Sequence, residues 1–205
     1  MNEIFDKIYY INMDHRTDRR EVCEAFFDEH KITAERIPGI NLGHGSGPAG
    51  CAQSHVNAVK AAKEAGAKNV LIFEDDFEFL NYDIELIKEA FNELPPDWNM
   101  FYLGYNPTAA LIPYGHFTYR ITGAYCAHAV AINYNFYDWI IDNHYVPIDV
   151  FYEKCHPNFM CFGIKPMLCT QAAGISDIDY RDNDNRRVII ENAEGYERIA
   201  AKWGK

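Results

Sequence analysis

Three adjacent carboxylates, Glu74, Asp75 and Asp76, follow the apolar run "VLIF", and Glu78 lies two residues further on. Like charges crowded at the tip of an apolar segment repel one another, so the arrangement gains nothing by itself. A divalent cation, or a ligand carrying one, reverses the sign of that interaction. Mg²⁺ and Mn²⁺ prefer carboxylate oxygens and keep open positions for phosphate. The competing reading has the same carboxylates capping the next helix and facing water. Alternation along an extended strand end puts Glu74 and Asp76 on one side and Asp75 on the other. One pair then faces a metal while Asp75 points elsewhere, toward a sugar hydroxyl.

A second cluster, "HRTDRR" at 15–20, brings Arg16, Arg19 and Arg20 beyond the first apolar segment and near a helix start, where anions are favoured. Alternatively, Asp14 and Asp18 pair with these arginines on a solvated face. Neither GxxxxGK[ST] nor GxGxxG follows the first strand, which disfavours P-loop and Rossmann dinucleotide binding. His55 lies on the apolar stripe of a helix, where a histidine either belongs to the core or serves a site. Ser54 and His55 are adjacent, so they do not face each other on a helix and make no nucleophile pair.

The elements that must position these residues alternate. Residues 7–13 form a strand, and a helix capped by Thr17 or Asp18 follows, with Val22 and Phe26 on its apolar face. Residues 34–40 form a short strand. Residues 41–50 hold four glycines and read as a loop. A helix over 51–67 carries Cys51, His55, Ala58, Val59 and Ala62 on one face; "NVLIF", a helix over 83–94 and a strand over 98–104 come next. This order predicts a parallel sheet with helices on both faces and a ligand site beyond the strands' carboxyl ends. The carboxylates, the arginines and "YN" at 105–106 all fall there. Further on, 116–132 reads as strand broken at Gly123, 133–145 as helix and 161–171 as an edge or bulged strand around Pro166. Residues 176–187 read as polar and mobile, and about 190–202 as a final helix.

A chain of 205 residues suits one domain. The formal charge of −11 argues against nucleic acid and anionic lipid as partners, since both need a basic face. The six cysteines include no CxxC pair, so buried free thiols are expected rather than structural zinc. No secretory signal opens the sequence and no apolar stretch approaches a transmembrane span, which makes the cytoplasm the default expectation.

The motifs "IYYINMDHRTDRRE", "GCAQSH", "VLIFEDDFEF", "TGAYCAHAVAI", "PID" and "KPMLCTQ…SDI" occur in the order seen in glycosyltransferase family 25. The chain resembles that family over residues 6–178. The family includes lipooligosaccharide-biosynthesis galactosyltransferases and collagen β-galactosyltransferase domains. The resemblance implies an α/β, GT-A-type single domain over 1–205, with a mixed, mostly parallel sheet flanked by helices. Its nucleotide-sugar half would be about 1–105 and its acceptor half about 106–205. It implies transfer of a sugar from a nucleotide sugar, commonly a UDP-sugar such as UDP-glucose or UDP-galactose, to a glycan or other hydroxyl, with inversion and Mn²⁺ or Mg²⁺.

Asp76, with Glu74, would then bind the metal, in a DXD-like motif whose first position departs from aspartate. Asp75 would face metal or ribose. Ile11, Asn12 and Met13 would line the base and ribose pocket, Arg16 and Arg19 would lie near the nucleotide, and Gly50, Ser54 and His55 would shape the donor side. An inverting transfer needs a base beside the acceptor hydroxyl. Asp149, in "PID", is the first choice and Asp177 the second; Asp149 equally suits a helix N-cap, and Asp177 an exposed loop. Tyr105, Tyr114, Tyr125, Tyr145 and Tyr152 are candidates to stack on sugar. Two rivals are a nucleotidyltransferase, whose glycine-rich loop is missing, and a catalytically silent nucleotide-sugar or partner-binding module.

Overall fold

The computed structural model describes residues 1–43, 45–175 and 182–203. Its first half runs β1 (Lys7–Asn12), α1 (Thr17–Glu29), β2 (Glu35–Pro38), α2 (Gly47–Glu64), β3 (Asn69–Glu74), β4 (Phe77–Phe79), α3 (Ile84–Asn92) and β5 (Met100–Tyr102). The second half runs β6 (Asn106–Pro107), β7 (Leu111–Pro113), β8 (Thr118–Ile121), β9 (Ala124–Tyr125), β10 (Ala129–Asn133), α4 (Tyr137–Asn143), α5 (Ile148–Cys155), β11 (Cys161–Ile164), β12 (Cys169–Gln171) and α6 (Arg186–Trp203).

Eight strands form one sheet in the order β2-β1-β3-β10-β5-β11-β8-β7. β2, β1 and β3 are parallel neighbours, as are β5 and β11. β10 lies antiparallel between β3 and β5, and β8 antiparallel between β11 and β7. This is a mixed, mostly parallel sheet flanked by helices; the all-parallel arrangement read from alternation alone is corrected. β10 comes from the second half of the chain, and its residues are buried, so it fits the sheet interior between β3 and β5.

Period-two alternation sends successive side chains to opposite cores. Tyr9, Val70 and Ile72 join the core beneath α2, α4 and α5, while Ile8, Tyr10, Leu71 and Phe73 join the core beneath α1 and α3. The helices differ from expectation in detail. Arg16, not Thr17 or Asp18, is the N-cap of α1, and it makes no side-chain cap. Cys23 and Phe27 are that helix's buried residues, whereas Val22 is 68% exposed. α2 begins at Gly47, inside the glycine-rich stretch, because Pro48 in its first turn has φ preset for a helix. The loop therefore ends four residues early.

Other boundaries also move. Residues 161–171 divide at Pro166 into β11 of the main sheet and β12, which pairs antiparallel with β4 in a separate ribbon. The 133–145 helix opens with a 3-10 turn, Tyr134–Phe136, before α4. α6 starts at Arg186 rather than 190. Of the stretch expected to be mobile, 176–181 lies outside the described residues, while Asp182–Asn183 is a short strand and Arg186 opens α6. Among the described residues no helix is long and apolar enough to cross a membrane.

Candidate active site

A cleft of about 530 Å³ opens beyond the carboxyl ends of β1, β2 and β3, where ligands bind in open α/β sheets. The carboxylate turn projects into it and is held from several sides. The rings of Phe73 and Phe77 pack 4.5 Å apart across its base, and Phe26, Phe27 and Phe79 extend that aromatic cluster. The Glu74 N–H donates to the His128 carbonyl at 3.0 Å, and the Ala172 N–H donates to the Asp76 carbonyl at 2.7 Å. β3 ends at Glu74, so Asp75 and Asp76 sit in a turn rather than continuing strand alternation.

The three carboxylates have different surroundings. Asp75 is bound by protein through both oxygens: Asn12 Nδ2 donates to one at 2.7 Å and Arg19 Nη1 to the other at 2.8 Å. Asn12 is itself fixed by Arg36, which donates to its side-chain oxygen at 3.0 Å and its carbonyl at 2.9 Å. Glu74 accepts from His55 Nε2 at 2.9 Å. Burial is the largest single influence and favours its neutral form, but His55, His128 and Cys51 together hold Glu74 below the ordinary carboxylate range.

Asp76 is the least satisfied member: Gln171 and Arg19 reach its carboxylate, yet one oxygen is left over. Its Oδ1 is buried and has no hydrogen-bond partner among the described residues, and its Oδ2 lies 3.8 Å from Arg19. Burial, and then the charge of Glu74, push its carboxyl up to about 7.

The glycine and serine of "GCAQSH" shape the cleft wall. A Cβ on Gly50 would lie 2.1 Å from the Ile40 carbonyl oxygen, so only glycine lets α2 approach the loop after β2. The Ser54 hydroxyl donates to the Gly50 carbonyl at 2.7 Å and accepts from the Ile40 N–H at 2.9 Å, which staples the same contact.

On the far wall, Asp149 lies in the first turn of α5 and accepts from the Val150 N–H at 2.9 Å. Pro147, not Asp149, is the N-cap. Burial and then Glu74 raise the Asp149 carboxyl above its ordinary range, against the pull of the Val150 hydrogen bond.

Ile11, Met13, Arg19, Ser54, His55, Glu74, Asp75, Asp76 and Asp149 therefore border one cleft. Asn12 is 1% exposed and supports Asp75 from beneath rather than bordering the cleft. The Arg16 guanidinium forks onto Asp18 through two 3.0 Å bonds. Asp177 lies outside the described residues. Of the five tyrosines, Tyr125 borders the cleft, whereas Tyr105 and Tyr152 are buried in the core.

Sequence reasoning missed Arg36 and Gln171, whose Nε2 lies 3.5 Å from Glu74 Oε2. Both come from segments remote from the acids, and although Gln171 closes the motif "KPMLCTQ", nothing local in either segment announces the contact. Cys51 did carry one: it precedes His55 by four residues, so both project from one helix face, and its Sγ lies 3.7 Å from Glu74 Oε1.

No protein-family model matches the chain. It is 28% identical over 149 residues to a protein of Acanthamoeba polyphaga mimivirus named as a glycosyltransferase, covering 62% of this chain and 46% of that one. It is also 28% identical over 129 residues to procollagen galactosyltransferase 1-A of Xenopus laevis, covering 49% of this chain and 21% of that one. The chain thus spans less than half the length of either relative. Among solved structures, a crystal structure of a protein from STIV superposes with a TM-score of 0.54 at 13% identity, over 87% of this chain and 94% of that one, a likeness of fold. The curated relatives are glycosyltransferases, in agreement with the resemblance to family 25.

Proposed function

We propose that this chain transfers a sugar from a nucleotide sugar, a UDP-hexose such as UDP-glucose or UDP-galactose, to a hydroxyl of a glycan or other acceptor, with inversion at the sugar carbon. The observation that carries this reading is the buried Oδ1 of Asp76, without a hydrogen-bond partner among the described residues and held beside Glu74 in a sheet-edge cleft. A buried anion beside a second anion is unfavourable unless a cation or a donor-rich ligand completes it.

The donor set fits a hard divalent cation, Mn²⁺ or Mg²⁺: Asp76 is the principal ligand and Glu74 a contributor, both through carboxylate oxygen. Such a cation supplies positive charge against the diphosphate that leaves. Asp75 does not compete for it, because Asn12 and Arg19 occupy both of its oxygens. Arg19, between Asp75 and Asp76, brings a guanidinium to the same end of the cleft. Ile11 and Met13 line the nucleotide side, and Ser54 with Gly50 holds that wall in place.

Asp149 takes the acceptor proton. The acceptor oxygen then bonds to the anomeric carbon as the bond from that carbon to the phosphate oxygen breaks, and the nucleoside diphosphate departs with the electron pair. A raised carboxyl at Asp149 makes it a stronger base once ionised. Asp177 is the second choice. Donor recognition falls to about 1–105 and acceptor recognition to about 106–205 of one GT-A unit. All six cysteines are free, which supports a reducing, cytoplasmic setting.

The test is release of nucleoside diphosphate from a panel of UDP- and GDP-sugars with Mn²⁺, Mg²⁺ or chelator, on wild type and Asp76→Ala. Metal-dependent turnover of one donor, lost in the variant, is expected. Silence with every donor, together with no metal-dependent nucleotide binding, would replace the enzyme reading with a binding module.

A further inference from the structure

α2 places Cys51 and His55 one turn apart on the face turned toward the tip of β3. Cys51 Sγ, His55 Nε2 and a Glu74 carboxylate oxygen lie within 4.8 Å of one another. His55 Nε2 is 2.9 Å and Cys51 Sγ 3.7 Å from the same oxygen, Glu74 Oε1. From these atoms we infer that Cys51, His55 and Glu74 form a site for a borderline divalent cation of the Zn²⁺ type, which shares Glu74 with the proposed hard-cation position but does not include Asp76.

Several observations support this assignment. Tetrahedral zinc, with bonds of about 2.0–2.3 Å, separates its ligand atoms by roughly 3.2–3.8 Å, so the sulfur–oxygen distance needs almost no change and the nitrogen–oxygen distance opens by a few tenths of an ångström. A thiolate and a carboxylate balance a dication, and an imidazole ligating through Nε2 completes three protein ligands without adding charge. The mixed sulfur, nitrogen and oxygen set selects against Mg²⁺ and Mn²⁺, which prefer oxygen alone.

All three residues border the cleft, so the fourth position faces it, an arrangement of three protein ligands with one open site. Asp76 is not part of this set. Occupancy ties the first turns of α2 to the tip of β3 and draws Glu74 Oε1 onto the helix.

Co²⁺ serves as the spectroscopic probe and Zn²⁺ as the competitor, on the full chain. One equivalent of Co²⁺ should give a thiolate charge-transfer band in the near ultraviolet. Zn²⁺ should displace the cobalt, the band should vanish in Cys51→Ser, and it should persist in Asp76→Asn. X-ray absorption on Zn²⁺-loaded wild type avoids dependence on variants that misfold; one sulfur neighbour at about 2.3 Å is expected. A zinc shell of oxygen and nitrogen alone would overturn the inference. So would a band that survives Cys51→Ser, which would place the metal on another cysteine, or a band lost in Asp76→Asn, which would merge the two positions. None of these readouts uses sugar transfer, so this inference and the glycosyltransferase reading can fail separately.

Discussion

A fully buried histidine and a half-buried aspartate at different parts of the sheet behave in opposite ways. His156 is fully buried, and both ring nitrogens are used: Nδ1 accepts from the Ala124 N–H at 3.2 Å, which leaves Nε2–H to donate to the Tyr102 hydroxyl oxygen at 2.9 Å. Beside it, Arg120 donates to the carbonyls of Ile121, His156, Phe159 and Cys161. That cluster is complete without a ligand, and its role is to join β5, β8, β9, α5 and β11. Asp76, by contrast, keeps a buried oxygen with no partner among the described residues and faces a second acid. Burial alone does not distinguish structure from site; satisfaction does.

The largest effect that tests this contrast is on turnover. Asp76→Ala should lower kcat/KM by about 10³-fold or more while the protein stays folded, read as nucleoside diphosphate release beside a thermal melt. His156→Ala should reverse the pattern. It leaves the Tyr102 hydroxyl and the Ala124 N–H unsatisfied, so stability should fall by about 2–4 kcal/mol while the folded fraction keeps its specific activity. If both variants lose activity without losing stability, the contrast is broken.

Next in size, Asp149→Asn should lower kcat by roughly 10²–10⁴-fold with little change in donor KM; an unchanged kcat would pass the base role to Asp177.

Stability against pH sharpens the contrast through its sign. Burial and the Arg120 charge push the His156 imidazole down to about 3 from an ordinary 6.5. Its contribution is therefore present above about 6.5 and is lost as pH falls toward 3. Asp76 is raised from 3.8 to about 7, so its contribution is present below 3.8 and is lost as pH rises through 7. Metal-free Asp76→Asn should consequently gain stability over wild type at pH 8, by on the order of 1–3 kcal/mol, and show no gain at pH 3.5. Chemical denaturation at the two pH values measures both. The smallest effect is expected at Tyr125→Ala, a several-fold rise in acceptor KM, since one ring bordering the cleft can be replaced in part by its neighbours.

The sequence made the carboxylate end of the site legible because its signals are local. "VLIFEDD" joins a buried strand to three acids, and α2 announces its buried face through the spacing of His55, Val59 and Ala62. What was hidden depends on contacts between distant segments. β10 enters between β3 and β5 from the second half of the chain, with four strands intervening after β5, and no periodicity in "NVLIF" or "MFY" foretells an antiparallel neighbour. Arg36 reaches Asn12, and through it Asp75, only because β1 and β2 pair in one particular register. The separate environments of Glu74, Asp75 and Asp76 follow from His55, Asn12 and Arg19, each on a different element. Three adjacent acids look equivalent on paper; their partners assign one to a histidine, one to a fixed network and one to the cleft.

Calorimetric titration of Mn²⁺ into the protein at pH 8, with and without UDP, tests the central claim most directly, on wild type and Asp76→Asn. Wild type should bind one Mn²⁺ and bind it more tightly with UDP present, whereas Asp76→Asn should lose at least about tenfold in affinity and most of the UDP enhancement. Equal Mn²⁺ and UDP binding by both proteins would contradict the account, because the Asp76 carboxylate would then not be the ligand site.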